Sequence, residues 1–184
     1  SDDISKKVKN QYEENPYPRW RFGNNNTSAN FLFYLNNDIK PNGIEFNNKF
    51  IKPNVLIAGC GTGQQIINAI GYQNSNIVAV DLSFASLAYA KRKIEELGYK
   101  NIEFLQGDIL NLNILNKKFD VIECGGVLHH MKEPLKGLKI LLDLLEPHGF
   151  LKLGLYSDIT RKHIVKIREF IKKKKIKNTK EDIR

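Results

Sequence analysis

From Pro53 onward the chain alternates short apolar runs with amphipathic stretches of helical length, and the first apolar run ends in a cluster of glycines. Val55-Leu56-Ile57-Ala58 reads as a buried strand running into Gly59-Cys60-Gly61-Thr62-Gly63. A helix to Ile70 follows, then a second strand, Asn76–Val80, ending at Asp81. Ser83 is suited to N-cap a helix over Phe84–Leu97, which Gly98 closes. Ile102–Leu105 and Phe119–Cys124 are the third and fourth strands. Pro134 opens a helix to Leu145, Gly149–Tyr156 is a fifth strand, and a last helix covers Ile159–Lys175.

Strands alternating with helices of 10–15 residues predict a mostly parallel sheet covered on both faces. The fold class is therefore α/β, a Rossmann-like three-layer α/β/α sandwich with about five strands. In such sheets ligands bind outside the carboxyl ends of the strands, near the point where strand order reverses. Those ends are where this sequence keeps its unusual residues: Gly59–Gly63, Asp81, Asp108 and Cys124–His130.

Residues before the first strand read differently. Residues 4–14 suit a short helix stopped by Asn15-Pro16, and 29–35 suit one or two buried turns. Residues 36–54 read as loop. The chain divides into an N-terminal arm or lid (1–50), a core (51–157) and a basic C-terminal helix (158–184). The net charge of +9 invites a nucleic-acid reading. Yet residues 161–184 hold 11 basic and 3 acidic residues, whereas the first 160 hold 18 and 17. The basicity belongs to the tail, so nucleic acid has little support. The longest apolar runs fall short of the about 20 residues a membrane span needs. Two cysteines make no disulfide framework, and Ser1-Asp2-Asp3-Ile4 shows no apolar leader, so a cytoplasmic setting is expected.

The glycine spacing is informative. A dinucleotide fingerprint needs Gly-x-Gly-x-x-Gly, but position 64 is Gln, and no lysine follows to make a phosphate loop. The loop suits close approach by something other than a polyphosphate. Asp81, about 20 residues on, suits a ribose diol. Asp108 can accept from an adenine amino group. A nucleoside with a non-phosphate tail describes S-adenosylmethionine (SAM).

These segments resemble the class I SAM-dependent methyltransferase superfamily. Val55–Gly63 resembles its first motif, and Val80-Asp81-Leu82-Ser83 the ribose-holding one. Gly107-Asp108-Ile109 resembles the motif beside adenine, Phe119–Met131 the fourth strand and its loop, and Leu145–Leu151 the turn into strand five. Gln11–Trp20 resembles a bacterial subgroup often fused to tetratricopeptide repeats. The resemblance implies SAM as cofactor, with S-adenosylhomocysteine as product and no metal. Its cofactor-binding residues would be Ala58, Gly59, Cys60, Gly61, Gln64, Asp81, Leu82, Ser83, Gly107, Asp108, Ile109, Cys124 and Gly125. Two departures stand out. Many relatives carry an acid where this chain has Ile57, which shifts the anchoring of the methionine amino group to backbone carbonyls near Gly59 and Cys124. The superfamily sheet usually has two further strands, which a longer chain or a partner would supply.

The expected reaction is in-line methyl transfer to a small-molecule or protein acceptor. Alignment does most of the work, and an oxygen or nitrogen nucleophile also needs a base. His129 and His130 are the base candidates; the alternative is that they pack or hydrogen-bond within their loop. Adjacent histidines do not readily face one ion, so no metal is expected. Tyr12, Tyr17, Arg19 and Trp20 form either a lid touching substrate or cofactor, or a packed arm anchored by Trp20; Tyr156 is a further substrate-side candidate. Cys60 and Cys124 end neighbouring strands and read as small packing residues. Tyr89-x-x-x-Lys93 matches a dehydrogenase dyad by spacing but falls on the wrong helix, and Asn15-Pro16-Tyr17-Pro18 falls outside the strand-four loop where DNA methyltransferases place a similar run. The rival readings are a non-catalytic SAM-binding module and an RNA methyltransferase using the tail, with a nicotinamide enzyme disfavoured by Gln64. Oligomeric state is left open.

Overall fold

The computed structural model describes residues 2–23, 28–39, 50–157 and 159–176. Much of the loop expected at 36–54 lies outside the described residues. Two compact units are present, Ser1–Gly154 and Leu155–Arg184. In the first, α1 (Asp3–Glu14) and α2 (Phe31–Ile39) precede β1 (Asn54–Ala58), α3 (Gln64–Ile70), β2 (Asn76–Asp81), α4 (Phe84–Glu96) and β3 (Ile102–Gln106). Then come β4 (Phe119–Gly125), α5 (Pro134–Leu144) and β5 (Leu145–Gly154). The second unit holds α6 (Lys162–Lys173).

The five strands lie in the order β3-β2-β1-β4-β5, and every neighbouring pair is parallel. The chain winds outward from β1 in one direction and then crosses to the other side, so order reverses between β1 and β4. Side chains of β1 and β2 alternate between faces, and both faces are apolar. Val55, Ile57, Ile77 and Ala79 pack with Ile66, Ala69, Leu87, Ala90 and Ile94 from α3 and α4, and with Phe31 from α2. Leu56, Ala58, Val78 and Val80 pack on the opposite face with Leu141 and Leu144 of α5 and with Ile109 and Leu112. The sandwich is the one the alternation predicts.

Several boundaries differ from those expected, among them the end of β5 at Gly154 instead of Tyr156 and α6 over Lys162–Lys173 instead of Ile159–Lys175. The α2 helix runs on through Ile39, because Tyr34 and Leu35 pack on the core and Asp38 accepts from Lys152 Nζ on β5 at 2.7 Å. The β5 strand starts at Leu145, directly after α5, since Leu145 pairs with Phe119 across an irregular register at Phe119/Val121. Pro147 is tolerated there because β5 is an edge strand among the described residues. Residues 109–115 and 128–130 form short 3-10 turns, too brief to leave a periodic signal. Ser83 Oγ caps α4 by accepting from Ser86 N at 3.0 Å, and Gly98 follows that helix at φ 88°. Among the described residues no helix is long and apolar enough to cross a membrane.

Candidate functional site

The glycine loop joins β1 to α3 at the reversal point. Its glycines serve different ends. A Cβ on Gly59 would lie 2.4 Å from Val127 Cγ2, and one on Gly63 would lie 2.9 Å from Ala90 Cβ. Those two let chain segments pack closely. Gly61, at φ +52°, has only the Tyr17 carbonyl oxygen near its missing Cβ, at 3.9 Å. It presents bare backbone to whatever lies above.

Asp81 closes β2 beside that loop. Its Oδ2 accepts from Gly61 N at 2.8 Å and its Oδ1 from Ser83 N at 2.9 Å. Burial pushes the carboxyl above its ordinary value, against the pull of those two N–H groups. Each oxygen keeps a further lone pair for a hydroxyl donor. Asp108, after β3, is buried at 5% exposure. Its Oδ1 accepts from Leu110 N at 3.0 Å, whereas Oδ2 is buried with no hydrogen-bond partner. An orphaned buried carboxylate oxygen calls for a donor, such as an exocyclic amine.

The other expected cofactor contacts fall along the same strand ends. Ala58 and Cys124 are fully buried with side chains in the core, so only their backbones can face a ligand. Leu82 and Gly107 are half-buried, and Gly107 N donates to Asp81 O at 3.0 Å. Ser83 and Ile109 turn their side chains to a cap and to the core. Cys60 lies in the cluster on one face of the sheet and Cys124 in the cluster on the other, so they do not pair. Burial pushes Cys124 up to about 12 and Cys60 well above its ordinary value, which keeps both as thiols. Gln64 is exposed; the neighbouring Gln65, not among the expected contacts, donates from Nε2 to Gly125 O at 2.7 Å.

His129 and His130 follow β4 on a short 3-10 turn. Their Nε2 atoms lie 3.1 Å apart and their ring centroids 4.2 Å apart. An Nε2–H on either ring can reach the other ring's Nε2, the tautomer deciding which donates, and the rings lie close in spite of being sequence neighbours. Among the described residues no group of three or more metal-ligating side chains is found.

The N-terminal arm is tied across this edge. Glu13 accepts from Phe84 N at 2.8 Å and Ala85 N at 2.9 Å, capping α4. Desolvation opposes the charge, but those bonds prevail and hold Glu13 below its ordinary value. Thr62 Oγ1 donates to Pro18 O at 2.6 Å, and Trp20 Nε1 donates to Thr62 O at 2.9 Å. Tyr89 donates to Trp20 O at 2.5 Å and meets the indole edge-on. Trp20 is therefore an anchor. Tyr89 serves the arm, and Lys93 pairs with Glu96 instead of with Tyr89. Tyr17 is 73% exposed above the loop, Arg19 is exposed with Nε donating to Pro16 O at 3.4 Å, and Tyr12 is half-buried. Tyr156 belongs to the second unit, where the Arg161 guanidinium lies 3.7 Å over its ring.

Residues 52–183 match the family model of a methyltransferase domain. The chain belongs to the methyltransferase domain family. An uncharacterized protein of Rickettsia prowazekii is 32% identical over 153 residues, covering 79% of this chain and 57% of that protein. A demethylmenaquinone methyltransferase of Lactococcus lactis is 34% identical over 98 residues, covering 52% of this chain and 38% of the enzyme. The structure of PKMT2 from Rickettsia typhi in complex with AdoHcy superposes with a TM-score of 0.57 at 32% identity, over 74% of this chain and 26% of that one. This methyltransferase domain thus spans between about a quarter and three fifths of the length of these proteins.

Proposed function

We propose that the domain binds SAM along the carboxyl ends of β3, β2, β1 and β4 and transfers its methyl group to a small-molecule or protein acceptor. The carrying observation is the row of Asp108, Asp81 and Gly61, with the orphaned Asp108 Oδ2 at one end and bare Gly61 backbone beside Asp81. Asp108 accepts from the adenine amine and Asp81 from the ribose hydroxyls. The tail then runs over β1 and β4. AdoHcy in the Rickettsia typhi neighbour supports the same ligand class.

SAM, when bound, supplies a methyl group already activated on a sulfonium. The chain's part is to orient and to exclude water. Gly61 allows close approach, and the arm clasped by Thr62 and Trp20 covers the loop. His129 and His130 take up the proton released by an oxygen or nitrogen nucleophile, passing it between their Nε2 atoms. Nothing in this chemistry needs the basic tail, so an RNA acceptor is not favoured. The name of the Lactococcus relative supports a small-molecule acceptor. The arm's Gln11–Trp20 run supports the subgroup often fused to tetratricopeptide repeats.

The test is calorimetric titration with SAM and with NAD⁺, followed by incubation with methyl-tritiated SAM and acceptors of each class. Binding of SAM but not NAD⁺, with label transferred, is expected. NAD⁺ binding without SAM binding overturns the reading. SAM binding with no transfer to any acceptor favours a non-catalytic binding module.

A further inference from the structure

The end of β4 carries a second buried acceptor in want of a donor. Gln65 lays its amide over Gly125: a Cβ there would meet Nε2 at 3.1 Å, Cδ at 3.4 Å and Oε1 at 3.5 Å. Only glycine fits beneath it without displacement. Nε2 donates to the Gly125 carbonyl at 2.7 Å. A carbonyl can only accept, so this bond fixes which end of the amide is nitrogen. Oε1 is then buried with no hydrogen-bond partner. Leaving an acceptor in that state costs stability unless a ligand supplies the donor.

Its place matters. Asp108 follows β3, Asp81 ends β2, and Gln65 lies over the end of β4. Three strand spacings, about 14 Å, separate the first from the last, enough for a nucleoside and a short tail. The adenine end takes Asp108, so the tail ends near Gln65. On β1 the position two before Gly59 is Ile57, fully buried and apolar. Its register partner on β4 is Glu123, whose Oε1 accepts from Tyr72 at 2.5 Å. No carboxylate on β1 is left to receive a cation.

We propose that Gln65 Oε1 receives the α-ammonium group of the cofactor's amino-acid tail, an assignment that rests on the SAM reading. An ammonium group has donors and no acceptor, which suits an orphaned oxygen. The tail's carboxylate has only acceptors and does not.

The experiment compares affinities for S-adenosylhomocysteine and 5′-methylthioadenosine. Both are thioethers with the same nucleoside; only the first has the amino-acid tail. Wild type should prefer the first. Gln65→Met, similar in volume, should weaken S-adenosylhomocysteine about tenfold or more and change 5′-methylthioadenosine less than twofold. Gln65→Glu keeps an acceptor but loses the donor to Gly125, so it should melt lower yet retain the preference. Equal losses for both ligands in Gln65→Met would mean that Gln65 only props up Gly125, and would overturn the assignment. So would an unchanged S-adenosylhomocysteine affinity, or a Gln65→Glu protein that loses the preference. Wild type binding neither compound would instead sink the SAM reading itself.

Discussion

Thr62 is the point on which the arm turns. It stands between Gly61 and Gly63, 1% exposed, with its hydroxyl on Pro18 O at 2.6 Å and its carbonyl taking the Trp20 indole N–H at 2.9 Å. Thr62→Val keeps the shape of the side chain and removes only the hydroxyl. The indole bond reaches backbone, so it survives. What is lost is one hydrogen bond, with the Pro18 carbonyl left unpaired in a partly buried site. That costs about 1–2 kcal/mol, or roughly a 5–30-fold rise in the open fraction of the arm. For a domain of this size the melting temperature should fall by roughly 2–8 °C. The sharper assay is limited trypsin digestion. Arg19 and Arg21 are exposed, but they flank the pinned Trp20, so cleavage there needs the arm to lift. Cleavage should accelerate by the same 5–30-fold, with the remaining core intact. An unchanged rate would refute the clasp. A collapse of the whole fold would show instead that the hydroxyl supports the glycine loop and not the arm.

Glu13→Gln leaves one oxygen for two N–H donors and should cost about 1 kcal/mol, discounted for the exposure of that carboxylate. Because Glu13 is held below its ordinary value, its contribution is present above that value and fades as pH falls through the lowered one; the gap between wild type and variant should close on acidification in a series of melts. Glu123 is the opposite case. Burial raises it, opposed by the Tyr72 bond and Lys152, so its ionisation costs stability as pH rises through the raised value. Glu123→Gln keeps an acceptor for Tyr72 and should match or exceed wild type in melting temperature above that pH, losing the advantage towards the ordinary carboxylate range. A variant less stable at high pH would mean that the Glu123 charge is needed by Lys152.

The order of elements was legible because each signal is local. Gly59–Gly63 turns a strand into a helix, Ser83 caps three residues on, and alternating apolar residues mark a sheet buried on both faces. The positions of Asp81 and Asp108 were legible for the same reason, since one closes β2 and the other follows β3. The arm's fastening was not. Glu13 reaches Phe84 N across 71 residues and Trp20 reaches Thr62 across 42, and no periodicity records such a pairing. Gln64 is the residue expected to face the cofactor; in the structure it is exposed, and Gln65 is the one that reaches Gly125. Adjacent glutamines are identical in composition, and only the helix phase of α3 tells them apart.

The central claim is that the row of acids at the strand ends grips a nucleoside. Calorimetry of S-adenosylhomocysteine with wild type and Asp81→Ala tests it directly. If Asp81 holds the ribose, the variant should bind more weakly by about 1–3 kcal/mol, roughly 5–150-fold. The wild-type affinity should also fall with acidification through the raised Asp81 value, a dependence absent from the variant. Equal affinities for the two proteins, or an affinity indifferent to pH in both, would contradict the account.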